Sequence, residues 1–469
     1  MTPTPDDVAA DALADGPLHE VDHLIIGGGM AASAAATALN DHVPERSVAI
    51  LCGEPDAPYE RPPLSKDAWD AGAVDHDLLH DVDAFGDAIL RVGRTVVRLD
   101  PHAHVATDDR GHRWRWRRSA LLATGATPKR PPFAEREHPR VSTFRSLSDL
   151  RRLRAALAHP SRVTVVGAGL LGCELAWTLR HAPPGSAGRR RRTARDAAEH
   201  APDDARRSGT AGHAVTLAYP DRWPLAGLLP APLGRRLALR FQRAGIELRP
   251  HVLIQRQTPV GDDPDGPIVL HGDGGESWTS DRVIACVGVA PNDVLARDAG
   301  LTVAAEGGGV LVDDRLRTSV PHLLAVGDVA VPDQPGLGPL RSEHEDFAKS
   351  GGLHAGHVMA GADAPYDHLP YFWCDLAGVG FEGVGRCDAN LPTRLHGPAA
   401  HEGAGLDAPG VVTYHRAEGG DGADADGALM GVLTWNLFGR IEQASDLLRA
   451  YADRPLDPDA VTPLLSDRP

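Results

Sequence analysis

Val163-Thr164-Val165-Val166-Gly167-Ala168-Gly169-Leu170-Leu171-Gly172-Cys173-Glu174-Leu175-Ala176 is the stretch that decides the fold. Four β-branched residues predict a short strand, and glycines then stand at G-x-G-x-x-G spacing ahead of an Ala- and Leu-rich helical pattern. This is the fingerprint of a dinucleotide-binding βαβ unit. Gly167 permits a tight turn after the strand. Gly169 has no side chain, so backbone N–H groups can approach a pyrophosphate. Gly172 lets the helix pack close to the sheet. The phosphates are expected at the helix N-terminus, where unpaired N–H groups and the positive dipole end face them. One acid, Glu174, stands just inside that helix. Taken alone, the spacing also fits a plain Gly-rich turn.

An upstream echo favours the nucleotide reading. Val21 to Ile26 form a short apolar strand, and Gly27, Gly29 and Ala32 occupy the three fingerprint positions. Small residues from Ser33 onward continue as a helix. A second strand, Ser47 to Leu51, leads to Glu54, an acid placed to accept from a ribose hydroxyl or else to serve as a loop carboxylate. Tyr59-Glu60-Arg61-Pro62-Pro63-Leu64-Ser65-Lys66 follows. Its prolines stiffen the chain and exclude a regular helix, and Ser65 is a candidate cap for a helix beginning near Lys66. Strands are expected at Leu90–Leu99, at Arg113–Arg117 and at Ser119–Ala126. A helix is expected over Phe144–Leu157, with Asp149 on a solvated face.

After the second fingerprint, residues 181–213 are rich in Pro, Gly, Ala and Arg and have no apolar period, which reads as a disordered insertion. The strand Ala214–Ala218 leads to Asp221, where an acid would meet an NAD ribose; Arg222 beside it keeps NADPH open. A helix is expected over Leu233–Ala244, antiparallel strands over 252–280, and buried strands before Gly288 and before Gly327-Asp328. From about Tyr366 the pattern changes to that of a separate α+β domain with a helix at Ile441–Ala452.

The chain has 469 residues, 42% hydrophobic content and a net charge of −16, which argues against a nucleic-acid surface. Arg supplies nearly all the positive charge; the three lysines are Lys66, Lys129 and Lys349. No run of 18 or more apolar residues occurs, so no membrane span is expected. Residues 1–20 are acidic and Pro/Ala-rich and read as a disordered tail without a targeting pattern. Cys52, Cys173, Cys286, Cys374 and Cys387 form no close pair, which argues against a dithiol centre or a zinc ribbon. Reduced thiols in a cytoplasmic protein are expected, and no metal.

The run Leu122–Pro128, Phe144-Arg145-Ser146-Leu147, Ala325–Asp328, Glu343-His344-Glu345-Asp346, Phe372-Trp373-Cys374-Asp375-Leu376, Val379-Gly380-Phe381-Glu382 and Val432–Arg440 join the two fingerprints in a pattern that resembles the apoptosis-inducing-factor-like FAD/NADH oxidoreductases. Ferredoxin and rubredoxin reductases share part of it. The resemblance implies an α/β fold with two Rossmann-like domains, the NAD domain (142–280) inserted in the FAD domain (21–141 and 281–362), and a C-terminal α+β domain (363–469). It implies FAD on Gly27, Gly29, Ala31, Ala32, Glu54, Arg61, Lys66, Val97, Ala123, Thr124, Gly125, Arg145, Gly327 and Asp328, with His344 and Trp373 bordering the ring. Trp373 stacking on a nicotinamide or adenine, and Trp373 filling the C-terminal core, are equally open. NADH is implied on Gly167, Gly169, Leu170, Leu171, Glu174, Asp221, Gly288, Glu343 and Glu382. Lys66 and Glu174 look like the family's ion pair beside the reactive flavin edge.

The reaction implied is hydride transfer from nicotinamide C4 to flavin N5 and onward to an acceptor: a small molecule, a quinone, oxygen or a ferredoxin-like protein. A ferredoxin reductase, and an NADH-responsive scaffold with little turnover, are the competing readings. A homodimer is compatible with the resemblance, with NADH as a candidate trigger. The insertion at 181–213, a short segment between Asp388 and Gly410, the low lysine content and the lack of a presequence or anchor depart from the animal members.

Overall fold

The structure, a computed structural model, describes residues 16–70, 75–134, 138–182, 212–261, 266–334, 336–417 and 426–466. The core of the expected insertion, 183–211, and most of the expected N-terminal tail lie outside the described residues. The described chain divides into two compact units. One runs up to Glu60 and adds Leu78–Thr127 and Ala290–Phe372. The other comprises Arg61–Asp77, Pro128–Val289 and the chain from Trp373 onward.

The first unit is built on a seven-stranded sheet. Its central strand, Leu18–Ile26, pairs in parallel with Val48–Cys52 on one side and Arg113–Leu122 on the other. The strand begins at Leu18, three residues before the expected Val21, because Leu18 to Glu20 pair with Arg113 to Arg115. Arg113–Leu122 is one continuous strand where two were expected. Trp114 and Trp116 are fully buried while Arg115 and Arg117 face out, the period-two alternation of a half-covered strand. The Trp114 indole N–H donates to Asp108 Oδ2 at 3.2 Å, so the polar edge of the buried ring is satisfied. The expected strand Leu90–Leu99 is broken into Ile89–Val92 and Val96–Asp100, with Gly93 at φ +62° between them. Leu323–Ala325 joins the sheet beside Arg113–Leu122.

The first fingerprint helix, Met30–His42, is rich in alanine because a second helix, Glu345–Ala360, lies directly against it. A Cβ on Gly352 would fall 2.5 Å from the Ala31 carbonyl oxygen, and one on Gly356 would fall 2.6 Å from Ala38 Cβ. Glycine facing alanine therefore sets an interaxial distance that larger residues would forbid.

In the second unit a five-stranded parallel sheet has the order Glu247–Arg249, Ala214–Ala218, Arg162–Val166, Arg282–Ala285, Val141–Thr143. Arg282–Ala285 thus completes the NAD-side sheet, although residues from 281 were expected in the FAD domain. Its pairing with Arg162–Val166 is what places it there. The antiparallel strands Ile254–Pro259, Ile268–Gly272 and Ser277–Ser280 form as expected. The helix Leu147–Ala156 starts with a capping box in which Ser146 and Asp149 exchange hydrogen bonds, so Asp149 is a capping residue and not a solvated one. The C-terminal sheet contains Tyr371–Leu376, Val379–Gly385, Asp426–Trp435, Gly410–Ala417 and Thr393–His396, followed by the helix Ile441–Tyr451.

Candidate functional site

Each fingerprint has the geometry that its glycines require. Gly27 lies at φ +124°, and a Cβ there would stand 2.1 Å from the Ala123 carbonyl oxygen. Gly167 lies at φ +99°, with a Cβ position 2.3 Å from the Cys286 carbonyl oxygen. Only glycine fits either turn. A Cβ on Gly172 would meet the Gly167 carbonyl oxygen at 2.0 Å, so this glycine lets the helix seat against the turn.

Gly29 and Gly169 are the N-caps of Met30–His42 and Leu170–His181. Neither helix has a side-chain cap or an acid in its first turn, so no side chain among the described residues caps the N-terminal N–H groups. At Gly169 an added Cβ would meet nothing within 4 Å, and Leu170 and Leu171 begin the helix behind this open cradle. Gly288, at φ +91°, is open in the same way. These two helix starts fit the pyrophosphates of FAD and NADH. In the second unit Glu382 adds a buried carboxylate oxygen, Oε2, with no hydrogen-bond partner among the described residues, which fits a ligand N–H donor.

Further residues expected at the flavin are organised within the first unit. Tyr59 Oη donates to Glu54 Oε2 at 2.5 Å. The Ala123-Thr124-Gly125 turn is locked by Asn292: its side chain donates to the Thr124 carbonyl at 2.7 Å, its N–H donates to Gly125 at 2.9 Å, and Thr124 Oγ1 donates back to its carbonyl at 2.9 Å. Asn292 was legible only as part of a Pro-Asn turn. Asp328 sits in the short turn Gly327–Val329, followed by the strand Ala330–Gln334. His344 precedes Glu345–Ala360 and stacks on Phe372 at 4.7 Å; burial pushes its pKa down to about 4, so the ring is neutral at pH 7. Val97 is exposed on its strand. Glu343, expected at NADH, lies in this unit and pairs with Arg341 at 2.6 Å.

Four residues expected at the flavin belong to the second unit: Arg61, Lys66, Arg145 and Trp373. Arg61 Nη1 donates to the Arg145 carbonyl at 3.2 Å. Trp373 is 40% exposed, which removes the core-filling alternative. Lys66 Nζ stands 3.1 Å from Glu174 Oε1. Burial is the largest single influence and opposes the charge on Lys66, but the surrounding negative charge, Glu174 foremost, together outweighs it, and the ammonium pKa is raised. Lys66 also lines a cleft of about 640 Å³ with Trp177, His181, Asp375 and Phe438. Ser65 does not cap a helix. Its hydroxyl donates to Glu174 Oε2 at 2.5 Å. Asp221 follows Ala214–Ala218, and its carbonyl accepts from His251 N–H at 3.2 Å.

Two nucleotide folds with such cradles define a class. The chain belongs to the pyridine nucleotide-disulphide oxidoreductase family, whose model matches residues 21–348, and with it to the FAD-containing, NAD(P)H-linked oxidoreductases. Within that class it is apoptosis-inducing-factor-like: residues 355–400 match the model described as apoptosis-inducing factor, mitochondrion-associated, C-term. The chain is 28% identical over 502 residues to a mitochondrial Drosophila melanogaster protein assigned as apoptosis-inducing factor 1, and the match covers 92% of this chain and 64% of that protein's length. It is 29% identical over 369 residues to the ferredoxin–NAD(+) reductase component of a 3-phenylpropionate/cinnamic acid dioxygenase from Photorhabdus laumondii, covering 78% of this chain and 84% of that one. A ferredoxin reductase from Rhodopseudomonas palustris shares the fold, with a TM-score of 0.74 and 24% identity over 93% of this chain and 96% of that one.

Proposed function

We propose that the chain oxidises NADH through bound FAD and passes the electrons to a separate acceptor. The observation that carries this reading is on one helix. Leu170–His181 presents the open Gly169 cradle at its N-terminus and, within the next turn, the carboxylate of Glu174 that holds Lys66. The bound flavin supplies the hydride-accepting chemistry. The chain's part is to bind, to orient and to set charge. Gly167, Gly169, Leu170, Leu171, Asp221, Gly288, Glu343 and Glu382 are assigned to NADH. Gly27, Gly29, Ala31, Ala32, Glu54, Arg61, Val97, Ala123, Thr124, Gly125, Arg145, Gly327, Asp328, His344 and Trp373 are assigned to FAD. Lys66, charged across the physiological range, is assigned to stabilise the negative charge that reduction adds. Asp221 favours NADH, because its carboxylate would repel a 2′-phosphate.

For the acceptor, a ferredoxin-like protein is favoured by the similarity to the dioxygenase reductase component; a quinone or oxygen is the alternative. A cytoplasmic setting is supported by five free cysteines, and the net charge of −16 supports a role without nucleic acid. No helix among the described residues is long and apolar enough to cross a membrane. The seven-stranded sheet, the five-stranded parallel sheet and the C-terminal five-stranded sheet support the three-domain division, and a homodimer is proposed from the resemblance alone.

Anaerobic titration of the purified holoprotein with NADH and NADPH tests the reading. Stoichiometric bleaching of the flavin by NADH at lower concentration than NADPH is the expected result. A protein that carries no FAD, or an FAD that NADH leaves oxidised, overturns it. Fast turnover with a ferredoxin would identify the acceptor, and slow reoxidation in air without one would favour the scaffold reading.

A further inference from the structure

The Glu174 carboxylate is used on both oxygens. Oε1 receives the Lys66 ammonium at 3.1 Å and the Cys374 thiol at 3.3 Å, and Oε2 receives the Ser65 hydroxyl at 2.5 Å. The Ser65 hydroxyl has one proton and two acceptors in reach. The Pro62 carbonyl is 3.4 Å away, so the carboxylate takes the bond. Ser65 is itself held by the same helix. Thr178 Oγ1 donates to the Ser65 carbonyl at 2.8 Å, and Thr178 is four residues after Glu174, on the same helical face. Ser65 and Cys374 are buried, at 4% and 1% exposure. Three chain segments thus meet on one carboxylate: the Pro-rich turn Pro62–Ser65, the fingerprint helix and the strand Tyr371–Leu376.

A half-buried ammonium keeps its proton only while an opposite charge stays in place. A lone salt bridge between a long lysine and a glutamate is a loose constraint, because both side chains retain rotamer freedom. Two further donors remove that freedom from Glu174. We propose that Ser65 and Cys374 are positioning residues that fix the Glu174 carboxylate and thereby hold Lys66 as a fixed ammonium. The proposal rests on the assignment of Lys66 as the group that tunes the flavin.

Burial lowers the Lys66 pKa and the surrounding negative charge, Glu174 foremost, raises it, with a net rise in the intact site. Freeing the carboxylate lets burial regain ground, so the Lys66 proton is lost at lower pH. The test compares Ser65→Ala, Cys374→Ala and Cys374→Ser with Lys66→Ala in the FAD-loaded full chain. It reads FAD content, flavin midpoint potential and the pH profile of flavin reduction by NADH. Ser65→Ala is expected to keep FAD, to lower the midpoint potential and to move the alkaline limb of the profile down by about one pH unit. Cys374→Ala is expected to move both in the same direction by less, and Cys374→Ser, which keeps a donor, to restore both.

Wild-type potentials and profiles in Ser65→Ala and Cys374→Ala, while Lys66→Ala is altered, overturn this proposal and leave the Lys66 assignment standing. Wild-type behaviour in Lys66→Ala removes that assignment itself. Should Ser65→Ala fail to fold, the Cys374 pair decides: an altered alanine variant with a restored serine variant supports the proposal, and equal behaviour of the two overturns it.

Discussion

Lys66 and Glu174 are 108 positions apart, yet the ammonium and Oε1 are 3.1 Å apart at the end of a Pro-rich turn. Their side chains are 23% and 12% exposed, so the pair is removed from most solvent screening.

Lys66→Ala should retain FAD, because the Gly27 and Gly29 cradle belongs to the other unit. It should lower the flavin midpoint potential and slow reduction by NADH by at least about ten-fold, the effect of about 1.4 kcal/mol on the barrier. Stopped-flow absorbance with saturating NADH measures it, and an unchanged rate would remove Lys66 from the mechanism.

Gly169→Ala and Gly167→Ala should differ in kind. At Gly169 the backbone is extended (φ −74°, ψ −176°) and the added methyl meets no protein atom, so the variant should fold normally and bind NADH more weakly. At Gly167 the methyl meets the Cys286 carbonyl oxygen at 2.3 Å in a φ +99° turn, so stability itself should fall by about 1–3 kcal/mol. Thermal melting beside NADH titration separates the two. Equal melting temperatures for the variants would contradict the geometry.

Gly352→Val should drive a wedge between Glu345–Ala360 and Met30–His42, whose Ala31 carbonyl oxygen lies 2.5 Å from the new Cβ. The helix whose N-terminus is assigned to FAD would be pushed away. A purified protein with substoichiometric FAD and a lower melting temperature is expected; full FAD occupancy would show that this helix pair tolerates the wedge.

Acid should destabilise the fold through buried histidine. His23, in the central strand, is fully buried and shares a 2.8 Å hydrogen bond with Ser119. Burial, aided by Arg46, pushes its pKa down to about 4 from 6.5. The unfolded chain therefore takes up the proton first. The contribution to stability is complete above pH 6.5 and is lost as pH falls through 4, up to roughly 3 kcal/mol. Urea denaturation across this range should show a smaller acid loss for His23→Gln than for the native chain, and an equal loss would place the acid sensitivity elsewhere.

The two fingerprints were legible because their glycines answer to local geometry: Gly27 and Gly167 sit in turns that no other residue can adopt without strain or collision. The Ala-rich run after Gly29 was legible as a helix, but its partner was not, since Gly352 and Gly356 lie more than 300 residues away in the chain. Ser65 reads locally as a helix cap, and its true acceptor is on Glu174, which only the folded chain brings near. Cys374 reads as an inert thiol for the same reason. Asp149 shows the converse case: its capping box with Ser146 is local, but Arg151, Arg152 and Arg154 after it give the stretch the pattern of a charged, solvated face. The strand Arg282–Ala285 was recognised as a strand, but its sheet depends on pairing with Arg162–Val166, which spacing does not specify.

The most direct test of the central claim is flavin reduction in the FAD-loaded chain by NADH carrying deuterium at the transferred C4 position. The account predicts rapid bleaching with ordinary NADH, a clearly slower rate with the deuterated form, and a further loss of rate in Lys66→Ala. Flavin that stays oxidised under NADH, or bleaching with no isotope effect and no dependence on Lys66, would contradict it.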